Sequence, residues 1–553
     1  MASTTEPLLN TPKKSMFICK FLYISLAVVA LLVSAVFLAS NLSKTTQNDV
    51  LINASHICQR ALHPETCQDF VSQVASGGFE AKETTDILQK MLVKEAHLMK
   101  NASFHARNLR NQMNEQTEQG ALSDCLELLD MSFERVLDSI KAIRDGTKMS
   151  RADARTWLSG VLTNHVTCID GLKNSSRKSM ETFLEDLILR ARASLAVLAT
   201  VSEPDTEFTL LSALEGMLLP PWITTMDKIL LEKSAKAIKA DLTVAQDGSG
   251  NYKTVSEAVK AAPTNSNTRY VIYVKKGTYK ENVEVASNKK NLMIVGDGMD
   301  STTITGDRSV GGGSTTFNSA TLAAVGDGFI LQDIGIKNTA GAAMHQAVAL
   351  RLGADKSVIN RCRLDAFQDT LYAHSQRQFY KDSYITGTVD FIFGNSAVVF
   401  QKCKLAARKP MANQQNMVTA QGRTDPNQNT GTSIQGCDII SSSDLQPVES
   451  SFPTYLGRPW KEYSRTVVMQ SNIGSVVDPA GWAKWDGDFA LKTLYYGEYQ
   501  NQGAGAGTSK RVQWPGYHVI TKSSDAMKFT VKELIQGGDW LGSTGVSYTE
   551  GLI

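Results

Sequence analysis

Two aspartates stand at matching distances within a degenerate repeat. Asp369 lies seven residues after Cys362 and Asp390 seven after Ser383, and these two residues close the similar phrases Ser357-Val-Ile-Asn-Arg-Cys362 and Gln378-Phe-Tyr-Lys-Asp-Ser383. If successive phrases stack as adjacent parallel strands, roughly 4.8 Å apart, the two carboxyl groups stack as well. Each then alters the other's ionisation, and one resists losing its proton. A carboxylate able to attack, beside a carboxylic acid able to donate, is what acid/base or nucleophilic chemistry requires. Gln368 precedes the first aspartate, and Gln346 lies 23 residues before it, one coil-length upstream. Amide N–H groups there can stabilise an oxyanion without carrying charge. Arg458, within Leu456-Gly-Arg-Pro-Trp460, supplies a permanent cation that keeps one aspartate ionised, and Trp460 offers a flat face for a sugar ring.

The elements that must position these groups follow from the same repeat. Phe329-Ile-Leu-Gln-Asp-Ile334, Val398-Val-Phe-Gln-Lys-Cys403 and Thr432-Ser-Ile-Gln-Gly-Cys437 join the two phrases above, with starts separated by 28, 21, 20 and 34 residues in chain order. Spacing near twenty with variable insertions suits a right-handed parallel β-helix, each coil stacked on the last and insertions forming loops. Ile334, Cys362, Ser383, Cys403 and Cys437 then occupy one ladder. A β-sandwich with chance similarity is the rival fold. Short β-rich runs such as Tyr270 to Val274 and Leu292 to Val295, punctuated by Gly, Asn and Asp, support an all-β region over 241–553. Upstream, residues 48–218 have helical spacing: Leu122, Leu126, Leu129, Phe133, Val136, Ile140 and Ile143 recur every three to four residues, as in an all-α bundle. Pro220 and Pro221 interrupt that pattern, and residues 219–240 form the linker.

At 553 residues the chain needs at least two domains, and 42% hydrophobic with 20% charged residues excludes disorder over most of it. A formal net charge of +2 is too small a surplus to call for nucleic acid or any other polyanion. Within residues 1–47, Lys13, Lys14 and Lys20 precede an apolar run from Phe21 to Ala39. Nineteen residues exceed a usual signal-peptide core, so an uncleaved signal anchor is favoured over a cleaved signal, and either exports the rest. Asn-x-Ser sequons at Asn41, Asn53, Asn101 and Asn174 agree with export and mark an exposed, glycosylated region. So do Cys58, Cys67, Cys125 and Cys168, which read as two disulfides. Cys58 and Cys67 are close enough to staple a short hairpin, and Cys125 with Cys168 would tie two long helices; spacing alone leaves the other pairings open.

At these residues the chain resembles the plant pectin methylesterases that carry an inhibitor-like N-terminal region. The motifs are Gly277-Thr-Tyr-Lys-Glu281, Gln346-Ala-Val-Ala-Leu350, Gln368-Asp-Thr-Leu371, Asp390-Phe-Ile-Phe-Gly394 and Leu456-Gly-Arg-Pro-Trp460, five in order, and the Cys58 to Cys168 region resembles the four-helix inhibitor domain. The resemblance implies hydrolysis of methyl esters on homogalacturonan, with Asp390 as nucleophile, Asp369 as acid and then base, and Gln346 and Gln368 as oxyanion stabilisers. It further implies that Arg458 orients Asp390, and that Thr316 and Trp460 contact the galacturonate chain along with Gln346 and Arg458. No metal or organic cofactor is implied. The implied partners are methylesterified homogalacturonan, the chain's own helical domain as inhibitor or chaperone, external inhibitor proteins, and a membrane through the N-terminal segment before processing. The implied location is the cell wall, reached by the secretory route.

Two departures from the family pattern stand out. Members often carry a cysteine where this chain has Ser383, paired with the one at Cys403. Cys362 and Cys403 would be two coils apart, roughly 9.6 Å, too far to bridge, which makes Cys362 a free buried thiol; Cys403 could pair with Cys437 if their coils are adjacent. The junction reads Met226-Asp-Lys-Ile-Leu-Leu231, with only Lys228 where the family often has a dibasic processing motif. A pectin-chain hydrolase or lyase is the competing enzyme class, since paired carboxylates about 5 Å apart also suit retaining glycosidases. No Asn-Thr-Asp segment of the polygalacturonase kind is present. A non-enzymatic chain that silences esterases through its helical domain is the third reading.

Overall fold

The computed structural model describes residues 28–37, 54–75, 83–201 and 239–553. Residues 28–37 are helical and expose Leu31, Leu32, Val36 and Phe37; among the described residues no helix is long and apolar enough to cross a membrane. The remainder of the 21–39 run, the sequons at Asn41 and Asn53, and the junction around Lys228 lie outside the described residues.

A short helix, α1 (Pro64–Ala75), leads into four long ones: α2 (Thr84–Gln112), α3 (Gln116–Asp145), α4 (Lys148–Gly171) and α5 (Asn174–Leu198). Local signals set their ends. Glu83 and Asp86 form a reciprocal capping box at the start of α2, and Gly146 ends α3 in the left-handed region at φ 68°. Thr147 opens α4 by accepting from the Ser150 N–H at 3.0 Å. Of the seven apolar residues along α3, five are buried, and Phe133 and Ile140 are half-buried against the same core. Cys58 is bonded to Cys67 and Cys125 to Cys168, with Cα separations of 5.8 and 4.7 Å.

From Leu242 onward the chain winds into stacked coils whose strands form three parallel sheets of 11, 7 and 8 strands. The five phrases are neighbouring strands of the 11-stranded sheet: Ser357 pairs with Gln378, Gln378 with Val398, Val398 with Thr432, and Val358 with Ile330. Their fifth residues, Asp333, Arg361, Asp382, Lys402 and Gly436, all take left-handed backbone, with φ between 47° and 60°. That turn drives the sixth residue inward, and Ile334, Cys362, Ser383, Cys403 and Cys437 are all buried. Polar members of the ladder hold the coils together. The Cys362 N–H donates to Ser383 Oγ at 3.1 Å, and the Cys403 N–H to Cys437 Sγ at 3.4 Å. Cys362, Cys403 and Cys437 are free thiols, although the coils of Cys403 and Cys437 are adjacent.

Candidate active site

The 7-stranded sheet carries the site. Leu371 pairs with Ile392, which sets Asp369 and Asp390 two residues earlier on neighbouring coils, and the Asp369 N–H donates to the Val389 carbonyl at 3.1 Å. Both aspartates have positive φ, 63° and 52°, a conformation costly for a residue with a side chain and held here by the coils on either side. Gln346 and Gln368 stand on adjacent coils, joined by the Ala347 N–H to the Gln368 carbonyl at 3.2 Å. The 307–316 loop is tied to the first of them through the Val310 N–H and the Gln346 carbonyl, 2.9 Å. Thr316 lies on this loop, just before the short helix Phe317–Ser319.

Arg458 reaches back from the strand Thr454–Gly457 and grips Asp390 with two parallel bonds, Nε to Oδ1 at 2.8 Å and Nη2 to Oδ2 at 2.7 Å. Its guanidinium lies 4.4 Å from the Trp485 ring centroid. The two aspartates therefore differ electrostatically. Burial first, and the neighbouring Asp390 second, hold the Asp369 carboxyl well above the usual carboxylate range, against the pull of Arg458. Burial also raises Asp390, but the hydrogen bonds and charge of Arg458 oppose it directly. Of the two, Asp369 is the carboxyl that burial and its neighbour push further toward the protonated form.

Asp369, Asp390, Gln346, Gln368, Arg458, Trp460 and Thr316 all line one cavity of about 750 Å³. All seven residues singled out in the sequence converge there. Four aromatic residues beside them were given no role in the sequence reading, although Phe393 lies within the quoted motif Asp390-Phe-Ile-Phe-Gly394. Tyr372 stacks on Phe393 at 4.1 Å between centroids, Trp460 meets Phe393 edge-on at 5.9 Å, and Phe317 and Trp485 complete the walls. A signal for two of them was present: each aspartate is followed three residues later by an aromatic residue, Tyr372 after Asp369 and Phe393 after Asp390. Trp485 lies in an irregular segment where no period could reveal it.

The opposite wall of the cavity is helical. Glu118, Ala121, Asp124 and Leu128 of α3, with Thr167 and Asp170 of α4, face the aspartates' side of the cleft. Apolar residues of the bundle share a core with Phe317, Ala323, Tyr372, Phe393 and Ala420. Polar contacts surround that core: Thr167 with His374 at 3.0 Å, Asn395 to Thr163 at 2.9 Å, Lys461 with Asp170 at 2.6 Å, Trp157 to Asp355 at 3.0 Å, and Thr315 to Asp124. Asn101 and Asn174 are exposed, and Asn174 stands at the rim of the same cavity.

A carboxyl held above its usual range beside an arginine-held carboxylate, in an aromatic cleft across β-helix coils, is the site of a carbohydrate-acting hydrolase. The comparisons narrow that class. Residues 241–538 match the Pectinesterase family, and residues 53–200 the family of plant invertase/pectin methylesterase inhibitors. The chain is 60% identical over 555 residues to Pectinesterase 1 of Solanum lycopersicum, covering 100% of both chains. It is 50% identical over 562 residues to Pectinesterase/pectinesterase inhibitor 18 of Arabidopsis thaliana, again covering 100% of both. Among solved structures, pectin methylesterase from carrot is 63% identical with a TM-score of 0.57; the match covers 57% of this chain and 99% of that one. The chain belongs to the pectinesterase family and carries an N-terminal domain of the inhibitor family.

Proposed function

We propose that the chain demethylesterifies pectin by covalent catalysis at Asp390. The Asp390 carboxylate attacks the C6 carbonyl carbon of a methylated galacturonate, and the side-chain amides of Gln346 and Gln368 donate to the resulting oxyanion. Methoxide is a poor leaving group, so Asp369 gives it a proton as the C–O bond breaks, releasing methanol and leaving an acyl group on Asp390. Asp369, now a carboxylate, takes a proton from water. The hydroxide attacks the acyl carbon and restores the Asp390 carboxylate together with a free uronate. Arg458 keeps Asp390 ionised between turnovers; Trp460 and Thr316 contact the sugar chain. The observation that carries this reading is the asymmetry of the pair: Arg458 binds Asp390 through both carboxylate oxygens, while burial and the neighbouring Asp390 hold the Asp369 carboxyl well above the usual range.

In this reading residues 48–218 form the inhibitor-like domain, 219–240 the linker and 241–553 the esterase, and residues 1–47 direct the chain to the secretory pathway and the cell wall. Asn41, Asn53, Asn101 and Asn174 are the glycan acceptors, and external inhibitor proteins are further partners. Because α3 and α4 roof the cleft, the attached helical domain inhibits the esterase.

The experiment is methanol release from highly methylated pectin by residues 241–553 and by the full chain, with viscosity followed in the same tube. Methanol without early viscosity loss is the expected result. Rapid viscosity loss without methanol would assign the paired aspartates to chain cleavage instead.

A further inference from the structure

On a helix, residues three and four apart are neighbours, their Cβ atoms about 5–6 Å apart, and each side chain leans back over the preceding turn. Helix α2 uses that spacing around a glycan acceptor. It packs on α1, α3 and α5 and lines no part of the cleft. Asn101, in the sequon Asn101-Ala-Ser103, is exposed on it. Phe104 follows at i+3 and is 69% exposed, the largest value for any large apolar side chain among the described residues beyond 28–37. His105, at i+4, stacks on Phe183 of α5 at 4.8 Å between centroids, and Phe183 is itself 38% exposed. A lone exposed phenylalanine needs no explanation, but three rings gathered on one face beside a sequon call for one. Asn174, the other described sequon, has Arg177 and Lys178 at these positions and no ring.

The chemistry of a glycan suits this face. A pyranose ring presents polarised C–H bonds on one side, and the negative face of an aromatic ring attracts them. Glycan transfer joins Asn101 Nδ2 to C1 of an N-acetylglucosamine; a lipid-linked pyrophosphate of the secretory route is donor and leaving group, and the amide loses a proton. The sugar so attached reaches the ring one turn away. Its tether keeps it at high effective concentration there, so even a weak stacking contact is populated.

We infer that Phe104, with the His105–Phe183 stack beside it, is a docking platform for the first N-acetylglucosamine of a glycan on Asn101, which covers this face of the bundle and stabilises it. This rests on the export reading above. The platform ties α2 to α5 through the glycan, on a helix that lines no part of the cleft, so the modification strengthens the helical domain without entering the active site.

The test uses the full chain secreted from a eukaryotic host that adds high-mannose glycans. Occupied sequons are mapped by mass spectrometry, and melting of the helices is followed by far-ultraviolet circular dichroism. Asn101 is expected to carry a glycan. Asn101→Gln and Ser103→Ala each remove it, and each introduces a better helix former, so helix propensity alone would stabilise. Both should instead lower the helical melting midpoint by about 2–4 °C, the scale of one aromatic contact in a domain of this size. Trimming the folded protein with an endoglycosidase that leaves one N-acetylglucosamine on the asparagine should not move the midpoint. In Phe104→Ala, whose exposed side chain the fold does not need, loss of the sequon should have no further effect. A glycan's bulk effect on the unfolded chain does not depend on Phe104, so this double variant separates the two. An unoccupied Asn101 beside occupied sequons, a midpoint that falls on trimming to one sugar, or an equal loss with and without the Phe104 ring overturns the inference. No sugar on any of the four sequons rejects the export reading, and the inference with it.

Discussion

At the scale of single residues, two isosteric changes separate chemistry from stability. Asp390→Asn keeps the shape of the nucleophile but removes its charge, so methanol release should fall at least about a thousandfold while a pull-down on pectin still retains the protein. Asp369→Asn should be equally inactive yet more heat-stable. The sign follows from linkage: the native fold binds the Asp369 proton more tightly than the unfolded chain does, so that stabilisation is complete at low pH and is lost as pH rises through the raised native value. An amide carries no such dependence. The melting temperature of Asp369→Asn should match wild type near pH 4 and exceed it at pH 8, by about 2–4 °C for each kcal/mol recovered. Equal melting curves at pH 8 would mean that Asp369 is not held protonated.

At the scale of elements, the cleft depends on close approach between strands and loops. A Cβ built on Gly422 would lie 2.8 and 3.1 Å from Cε3 and Cζ3 of Trp460. Gly422→Ala should therefore displace the indole and raise KM for pectin about tenfold with a smaller change in kcat, read from initial rates. Helix α4 makes a similar approach from above, where a Cβ on Gly160 would meet Gln376 Nε2 at 2.2 Å. One flexible amide can move for a methyl group but not for a ring. Gly160→Phe in the full chain should lift α4 from the cleft and raise methanol release at least about tenfold; unchanged release would show that the roof does not inhibit. These features also mark what the sequence could disclose. The coil register was legible because each phrase repeats both a left-handed turn and an inward side chain, and register alone brought Asp369 beside Asp390. The bidentate grip of Arg458 and the position of Trp485 were not, since both lie in segments outside the repeat and are fixed by tertiary packing. The docking of the bundle was equally hidden: its contacts join residues some 200 apart, and no local period encodes them.

At the scale of the whole molecule, the contact between roof and cleft contains a titratable group. Asp124 of α3 accepts from Thr315, and burial pushes its carboxyl up to about 7, with Thr315 and Arg351 opposing and Glu127 and Glu284 adding to the rise. The docked state binds this proton more tightly than the undocked one, so docking is strongest at low pH and weakens progressively as pH rises through about 7, beyond which it levels off. The activity of the full chain relative to residues 241–553 should accordingly increase between pH 6 and 8, and Asp124→Asn should flatten that ratio; a ratio independent of pH in the wild type would remove Asp124 from the contact's energetics. The cysteines have a further use. Both disulfides lie wholly within the bundle, and among the described residues the three free thiols are sealed inside the coils. A thiol-labelling reagent therefore acts as a domain-resolved clock. In a chain carrying Cys19→Ser, up to four labels taken up after mild reduction report loosening of the bundle, whereas up to three taken up without reductant report opening of the β-helix. The sulfur chemistry of the chain thus supplies a readout of which half gives way first.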